Sequence, residues 1–173
     1  MQDPMELASA VRAIVFDVDG VLTDGSLYLG DDGQEYKAFH SRDGLGMVML
    51  RESGTHIAII TARRSEVVRI RMESLGITSV YQGCREKLPA YDQLRTSLGL
   101  EHRQMAYVGD DVVDLSVMRR VGFAVAVADA HPLVLEHAHW QTPSPGGRGA
   151  AREVCELLLR AQGKLDGALS AFL

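Results

Sequence analysis

The chain alternates between short apolar runs and longer segments with helical periodicity. The first apolar run is Ala13-Ile14-Val15-Phe16, and further runs of the same kind cover 56–60, 105–108 and 123–127. Runs this short and rich in β-branched residues are typical of strands buried on both faces. The intervening helices are predicted at 45–52, 65–75, 87–98 and 112–121, and each is followed within two residues by a glycine. Strands separated by helices indicate an α/β protein with a doubly wound parallel sheet.

Two segments depart from this alternation. Residues 26–29 and 34–39 are predicted to form a small β-hairpin, because the Gly and Asp residues at 30–33 suit a tight turn. Residues 141–149 are rich in proline and glycine and are predicted to be a flexible linker, leading to a final helix at 150–162. We interpret 1–173 as one domain, with the hairpin at about 26–39 and the linker and C-terminal tail at about 141–173.

Composition and charge exclude several classes of protein. The 173 residues are 46% hydrophobic and 24% charged, as in an ordinary globular domain. With 18 Lys and Arg against 23 Asp and Glu, the formal charge is -5, which argues against nucleic-acid binding. No apolar stretch is long enough to span a membrane, and Cys84 and Cys155 form neither a CxxC nor a Cys/His cluster. We therefore expect a cytoplasmic protein that binds neither nucleic acid nor membrane.

Aspartates are concentrated at the ends of two predicted strands. Asp17 and Asp19 follow the first strand, while Asp110, Asp111 and Asp114 follow the strand at 105–108. The carboxyl ends of parallel strands meet at one edge of a sheet. Because no neighbouring Lys or Arg neutralises Asp17 and Asp19 in the sequence, a cation is expected there, and an all-oxygen set suits Mg²⁺. The third acidic cluster, Asp31 and Asp32, is interpreted as part of the hairpin turn.

Four motifs carry a resemblance to a known superfamily. They are Asp17-Val18-Asp19-Gly20-Val21-Leu22-Thr23, then Thr61, then Lys87, then Gly109-Asp110-Asp111-Val112-Val113-Asp114. In this order they resemble the motifs of haloacid dehalogenase superfamily phosphatases, over about 12–140, and imply a Rossmann-like core. The resemblance implies the following roles: Asp17 as nucleophile, Asp19 as general acid and base, Thr61 as a donor to phosphate oxygens, and Lys87 as the cation beside the nucleophile. It also implies Mg²⁺ bound by Asp17, Asp19 and Asp110, with Asp111 or Asp114 in support.

The chain has no room for the cap domain that such phosphatases usually carry. Only the hairpin, a helix and a strand separate Asp19 from Thr61, and only 25 residues separate Thr61 from Lys87. The hairpin therefore stands in place of a cap. Its apolar side chains are predicted to contact another subunit or, alternatively, to pack on their own core; they are Leu27, Tyr28, Leu29, Tyr36 and Phe39.

A closer resemblance covers nearly the whole chain after residue 11. The stretches that carry it are 37–44 (KAFHSRDG), 59–63 (IITAR), 81–83 (YQG), 125–132 (VAVADAHP) and 146–155 (GGRGAAREVC). They resemble the 3-deoxy-D-manno-octulosonate 8-phosphate phosphatase family, which implies a homotetrameric, Mg²⁺-dependent enzyme of lipopolysaccharide precursor synthesis whose neighbouring subunits cover the active site. The implied substrate contacts are Asp19, His40, Ser41, Arg42, Asp43, Gly44, Arg63, Arg71 and Lys87.

The chain departs from the family pattern at two places, and the departure near Val48 bears on one substrate contact and not on the reaction. Thr61-Ala62-Arg63 stands where Thr-Gly-Arg is frequent, and Val48 lies near a position that can be basic. In the tail, residues 146–149 are predicted to be a mobile flap tipped by Arg148, which reaches a neighbouring site, or else a plain linker.

Three alternatives to this function remain. The first is the same chemistry on a nine-carbon sugar acid 9-phosphate, against which Arg63 argues because a glutamate tends to stand there in those relatives. The second is a signalling receiver domain, which the order of the aspartates disfavours. The third is an inactive assembly subunit, which the intact set of motif residues disfavours.

Overall fold

The computed structural model describes residues 3–173 and shows a six-stranded parallel sheet. Its strands are β1 (Ala13–Phe16), β4 (His56–Ile60), β5 (Ser79–Tyr81), β6 (Met105–Gly109), β7 (Phe123–Ala126) and β8 (Trp140–Gln141). Their order is β5-β4-β1-β6-β7-β8, and all neighbouring pairs are parallel. A separate antiparallel hairpin is formed by β2 (Tyr28–Leu29) and β3 (Glu35–Tyr36). The predicted doubly wound fold and the hairpin are confirmed.

Eight α-helices accompany the strands in the described part of the chain. They are α1 (Pro4–Ala10), α2 (Ser41–Glu52), α3 (Glu66–Ser74), α4 (Leu88–Ser97), α5 (Leu115–Met118), α6 (Pro132–His137), α7 (Ala150–Ala161) and α8 (Leu165–Ser170). Two short 3₁₀ turns precede β6 and α5, at His102–Gln104 and Val112–Asp114. None of the helices within residues 3–173 has the length and apolar character needed to cross a bilayer.

The strand order reverses at β1, and this reversal determines where a ligand can bind. From β1 the chain first moves outward through β4 to β5, and then returns to β6 on the other side of β1. Because parallel crossovers are right-handed, the two directions place their helices on opposite faces of the sheet. The crevice between them opens at the carboxyl ends of β1 and β6, where Phe16 is paired with Val108.

The core lies on both faces of the central strands. All residues of β1 and β7 and all of β6 are buried. On one face, α7 packs against α1 and α2. Helices α2 and α7 approach each other closely at Gly46, where a Cβ would meet Arg152 and Cys155 of α7. Cys155 is a buried thiol and Cys84 a half-buried one, and both are free.

Several element boundaries differ from the sequence-based prediction. The strands β5 and β8 are too short, at three and two residues, to show a periodicity. The helix predicted at 45–52 begins four residues earlier, because Ser41 is the first residue of α2. The helix predicted at 112–121 is shorter, since its first turn is a 3₁₀ turn and α5 ends at Met118. The terminal helices α1 and α8 were not predicted.

Candidate active site

The first aspartate of the site lies directly after β1. Sheet pairing continues one residue past the strand, because the Asp17 N–H donates to the Val108 carbonyl at 3.1 Å. The side chain is buried, and its Oδ2 lies 2.8 Å from Lys87 Nζ. Its Oδ1 is buried too and has no hydrogen-bond partner among residues 3–173. A shielded carboxylate oxygen without a donor is suited to contact a cation or an electrophile.

Asp114 connects the parts of the site to one another. Its Oδ1 accepts from Lys87 Nζ at 2.7 Å and from the Tyr107 hydroxyl at 2.6 Å. Its Oδ2 accepts from the N–H groups of Asp110 at 3.0 Å and Asp111 at 3.3 Å. These last two bonds tighten the chain after β6 and explain the 3₁₀ turn found there. Asp114 is fully buried, and its four hydrogen-bond donors together fix the position of its carboxylate.

Asp111 has a local role instead. Its side chain is bonded to the N–H of Val112 at 2.7 Å, and the residue is exposed. Of the two acidic residues predicted in support of the metal, the structure thus brings Asp114 and not Asp111 to the buried group.

Three carboxylates lie close together in this site, and one ammonium, that of Lys87, contacts two of them. Oxygens of Asp17, Asp110 and Asp114 all lie within 4.8 Å of one another. Burial, together with the Asp114 charge, raises the pKa of Asp17 to about 6 and that of Asp110 to about 8. Burial alone lowers the pKa of Lys87, but the adjacent Asp114 and Asp17 outweigh it and raise that pKa overall, so Lys87 stays charged. The group has an excess of negative charge, and an oxygen-only donor set of this kind fits Mg²⁺.

The backbone after Asp19 lies directly against this group. Gly20 has φ +88°, and a Cβ there would lie 2.1 Å from Asp110 Oδ2. Only glycine fits such a position. The backbone at Gly20 therefore borders the carboxylates.

The side chain of Asp19 points elsewhere. Its Oδ1 accepts a hydrogen bond from Lys37, and its Oδ2 lies 3.9 Å from Arg63 Nε. Glu35 Oε1 lies 3.4 Å from Lys37 Nζ and 3.1 Å from Arg63 Nη2. The Asp19 carboxylate, predicted as a metal ligand, is thus separate from the group around Asp17. Lys37 and Glu35 were missed from the sequence, although they alternate with Tyr36 along the hairpin.

Thr61 and Arg63 follow the end of β4. The Thr61 N–H donates to the Tyr81 carbonyl at 3.0 Å, and its own carbonyl accepts from Cys84 N–H at 3.0 Å. These bonds fix the buried Thr61 at the edge of the sheet where β1 ends. Arg63 is exposed and is therefore accessible to a ligand that enters from solvent.

The predicted substrate residues at 40–44 occupy the start of α2. His40, Asp43 and Gly44 line a small cleft with Arg71 of α3 and Leu22, the latter from the loop after Asp19. Ser41 and Arg42 are exposed.

Asp43 is the exception in this cleft. Its two oxygens accept from Gly149 N–H at 3.3 Å and Arg152 N–H at 2.9 Å, so that it binds the N-terminus of α7. Burial raises its pKa. The contact of Asp43 with a substrate stays a prediction, since its carboxylate is engaged within the protein.

The segment at 146–149 lies on the loop that follows Asp19. Gly147 N–H donates to the Val21 carbonyl at 2.9 Å, and Arg148 Nη2 lies 3.2 Å from Asp24 Oδ2. Gly146 N–H donates to Asp129 Oδ1 at 2.9 Å. The linker is therefore attached to its own chain at these three points, and its reach to a neighbouring subunit stays a prediction.

Comparison with known proteins gives a consistent set of relatives. The family described as haloacid dehalogenase-like hydrolase matches residues 60–154. The 3-deoxy-D-manno-octulosonate 8-phosphate phosphatase KdsC of Yersinia pestis is 51% identical over 166 residues, which are 96% of this chain and 89% of the relative. KdsC of Escherichia coli K12 is 50% identical over 166 residues, covering 96% and 88%.

Two solved structures extend the similarity to three dimensions. The crystal structure of the Yersinia pestis phosphatase has a TM-score of 0.94 at 50% identity and covers 96% of this chain and 90% of its own. That of the Moraxella catarrhalis phosphatase, in complex with magnesium, phosphate and KDO (the octulosonate), has a TM-score of 0.97 at 39% identity, covering 100% and 99%.

Proposed function

This chain belongs to the 3-deoxy-D-manno-octulosonate 8-phosphate phosphatase family of haloacid dehalogenase-like hydrolases. We propose that it hydrolyses 3-deoxy-D-manno-octulosonate 8-phosphate, a phosphate ester, to free octulosonate and phosphate. It is a phosphoric monoester hydrolase of lipopolysaccharide biosynthesis that uses Mg²⁺ and passes through a phosphoaspartate. The observation that carries this function is the identity of 51% over 96% of the chain. It is supported by a structure in which the half-buried Asp110 lies with the buried Asp17, Asp114 and Lys87 in one group.

In the first chemical step we assign Asp17 as the nucleophile. Its carboxylate forms a bond to phosphorus while the bond from phosphorus to the sugar oxygen breaks, leaving a phosphoaspartate. Asp19 gives its proton to the departing sugar oxygen. In the second step water attacks the phosphoaspartate and gives a proton back to Asp19, so that phosphate is released and Asp17 is restored.

The cations of the site make the first step possible, because a carboxylate and a phosphate dianion repel each other. Lys87 contacts Asp17 and is held there by Asp114, so its charge lies beside the nucleophile. We propose that Asp17 and Asp110 hold the Mg²⁺ with carboxylate oxygens and Asp19 with its main-chain oxygen, because the Asp19 side chain is bonded to Lys37. The metal, when bound, neutralises charge on the phosphate and the carboxylates.

The remaining predicted residues are proposed to bind the substrate. Thr61, fixed at the sheet edge, donates to phosphate oxygens. Arg63, exposed beside Asp19, is suited to a carboxylate because its guanidinium makes two parallel hydrogen bonds. His40, Ser41, Arg42 and Gly44 at the start of α2, together with Arg71, are proposed to face the sugar.

We propose that the protein is a homotetramer located in the cytoplasm. The support for assembly is the hairpin, whose large apolar side chains Tyr28, Leu29 and Tyr36 are 50%, 67% and 60% exposed. Such a cluster of large apolar side chains is typical of an interface. Sedimentation of the wild type and of Leu29→Ser tests this: a tetramer that dissociates in the variant supports the proposal, and a monomeric wild type contradicts it.

A phosphate-release screen tests the function. Purified protein is supplied with the octulosonate 8-phosphate, a nine-carbon sugar acid 9-phosphate and neutral hexose phosphates, each with Mg²⁺ and with EDTA. We expect Mg²⁺-dependent release with the highest kcat/KM on the octulosonate ester. Arg63 suits a carboxylate, which the hexose phosphates lack, and it stands where relatives acting on the nine-carbon ester tend to have a glutamate. Preference for a neutral hexose phosphate would contradict the assignment, and preference for the nine-carbon ester would support the related alternative.

A further inference from the structure

The small hairpin has two unlike faces. Side chains alternate along β3, so that Tyr36 projects outward while Glu35 and Lys37 turn toward the active site. The Lys37 side chain is only 1% exposed, although it directly follows a ribbon whose large apolar side chains lie in solvent. A lysine this deeply buried at the edge of an exposed ribbon requires a structural reason.

The ammonium of Lys37 is held between two carboxylates. It donates to Asp19 Oδ1, and Glu35 Oε1 lies 3.4 Å away. Burying an ammonium is unfavourable unless it is paired, so Lys37 is confined to the position where both partners meet it. This contact fixes one oxygen of Asp19, while the Asp19 side chain remains 21% exposed and Oδ2 lies toward the exposed Arg63.

We propose that Lys37 is a positioning residue for Asp19, which holds one carboxyl oxygen so that the other meets the departing sugar oxygen. The inference rests on the proposed function, because it takes Asp19 as the proton donor. An aspartate on a loop otherwise populates several rotamers. Holding a reacting group in its productive orientation removes that entropy from the activation barrier.

No other lysine of the described chain can take this part. Lys87 is already engaged with Asp17 and Asp114, and Lys164 is exposed and bonded to the Ser53 carbonyl. The site therefore has one buried lysine for each of its two catalytic aspartates. Because Lys37 comes from the hairpin, the position of the proton donor depends on the hairpin as well as on the loop after β1.

The test compares two substrates that differ in their need for a proton. A sugar alkoxide leaves only when protonated, whereas the phenolate of 4-nitrophenyl phosphate leaves without help. The value of kcat/KM reports the steps up to cleavage of the ester bond and is independent of the later hydrolysis of the phosphoaspartate. For Lys37→Met we expect kcat/KM to fall by about 100-fold on the octulosonate ester and by less than about threefold on the nitrophenyl ester.

Controls separate positioning from a general structural effect. Lys164→Met is the matched variant, and we expect both kcat/KM values to stay at wild-type levels. Lys37→Arg retains the charge, and we expect it to recover part of the loss on the sugar ester; if Lys37→Met does not fold, Lys37→Arg carries the test through a smaller loss confined to that ester. Equal losses on both esters, or no loss, would overturn the proposal.

The same data distinguish a failure of the proposed function. If the wild type hydrolyses another sugar phosphate and not the octulosonate ester, the proposed substrate is wrong. The loss of kcat/KM in Lys37→Met is then measured on the accepted sugar phosphate and compared with the loss on 4-nitrophenyl phosphate. A selective loss in Lys37→Met would still support the positioning role, and a uniform loss would still overturn it.

Discussion

Lys87 is shared between Asp17 and Asp114, and this shortage of positive charge governs the chemistry of the site. With Asp110 included, three carboxylates lie within 4.8 Å of one another. Within the described chain, Asp17 Oδ1 has no hydrogen-bond donor. The folded chain alone therefore does not neutralise its own nucleophile, which is the electrostatic reason for a divalent cation.

Replacing Asp17 with asparagine tests the nucleophile. An amide retains the shape and a contact with Lys87 but does not attack phosphorus, so we expect Asp17→Asn to lose Mg²⁺-dependent phosphate release to below the detection limit. The fold should persist, because the substitution removes a buried charge from a crowded group of carboxylates. Phosphate release measures the first effect and circular dichroism the second; full activity would refute the assignment.

Asp114 carries a second prediction at the scale of the residue. In Asp114→Asn, Lys87 loses a charged partner and pairs with Asp17 alone, and the bonds to Tyr107 and Asp110 are weakened. We expect kcat to fall by about 100-fold or more, the loss typical of disturbed electrostatic preorganisation. Asp111→Asn is the matched control, since that exposed side chain bonds only to main-chain N–H groups of its own turn, and it should retain near-wild-type kcat. Similar losses in both variants would contradict the distinction.

The sequence predicted the members of this group better than their partners. Asp17, Lys87 and Asp110 were predicted because each follows a strand or begins a helix in a recognised order. Asp114 could not be separated from Asp111 in the sequence, since both follow the same strand. The pairing of Asp19 with Lys37 was beyond the sequence for another reason: it joins a loop to a hairpin 18 positions away, and no local pattern encodes that contact.

At the scale of the element, α2 and α7 depend on each other. Ser41-Arg42-Asp43-Gly44 is a poor helix-forming sequence, yet it is the first turn of α2. Asp43 from this turn accepts from two N–H groups at the start of α7, a helix whose own N-cap is Gly149 and has no side chain to offer. A residue of one helix therefore takes the capping role for another.

Removing this cap is expected to destabilise the protein. Asp43→Ala leaves the N–H groups of Gly149 and Arg152 without their partner, at a cost of about 1–2 kcal/mol in the free energy of unfolding. The melting temperature should fall by about 2–4 °C for each kcal/mol. Asp31→Ala, in the exposed hairpin turn, is the control and should melt with the wild type. A raised KM with unchanged melting temperature would instead support the predicted contact of Asp43 with substrate.

The elements that the sequence predicted well are those with internal signals. The central strands are apolar runs, whereas α3, α4 and α7 carry a helical hydrophobic pattern and are followed by a glycine. The start of α2 and the 3₁₀ turn at Val112–Asp114 each contain an aspartate that bonds across the fold, Asp43 to the start of α7 and Asp114 to Lys87. The edge strands β5 and β8 are formed by pairing to a longer neighbour, so their two or three residues hold no pattern of their own.

At the scale of the whole molecule, the formal charge of -5 describes the site poorly. The acidic residues that bear on function are gathered at one edge of the sheet, because the strand order reverses at β1 and brings the ends of β1 and β6 together. Folding thus concentrates like charges that are far apart in the unfolded chain. This concentration costs stability unless protons or a cation offset it, and the cost depends on pH.

The last prediction concerns this dependence. The ordinary pKa of an aspartate is 3.8, and folding raises it to about 6 for Asp17 and about 8 for Asp110. Between pH 3.8 and about pH 8 the folded chain thus binds more protons than the unfolded chain, and its stability falls as pH rises. In EDTA we expect the melting temperature to fall from about pH 7 to about pH 8.5, and Mg²⁺ to restore it by an amount that grows with pH. Burial lowers the pKa of His56 and His139. These two histidines make the stability rise with pH, but only below about pH 6.5.

Asp110→Asn isolates the source of this effect. Without the carboxyl that titrates near pH 8, the melting temperature in EDTA should be nearly constant above about pH 7, and added Mg²⁺ should raise it less than in the wild type. Thermal melts of both proteins at several pH values, each in EDTA and in saturating Mg²⁺, provide the comparison. A wild-type melting temperature that stays constant or rises with pH in EDTA over this range would contradict the concentration of charge. Carboxylates that lie apart have already lost their protons at these pH values and add no pH dependence there.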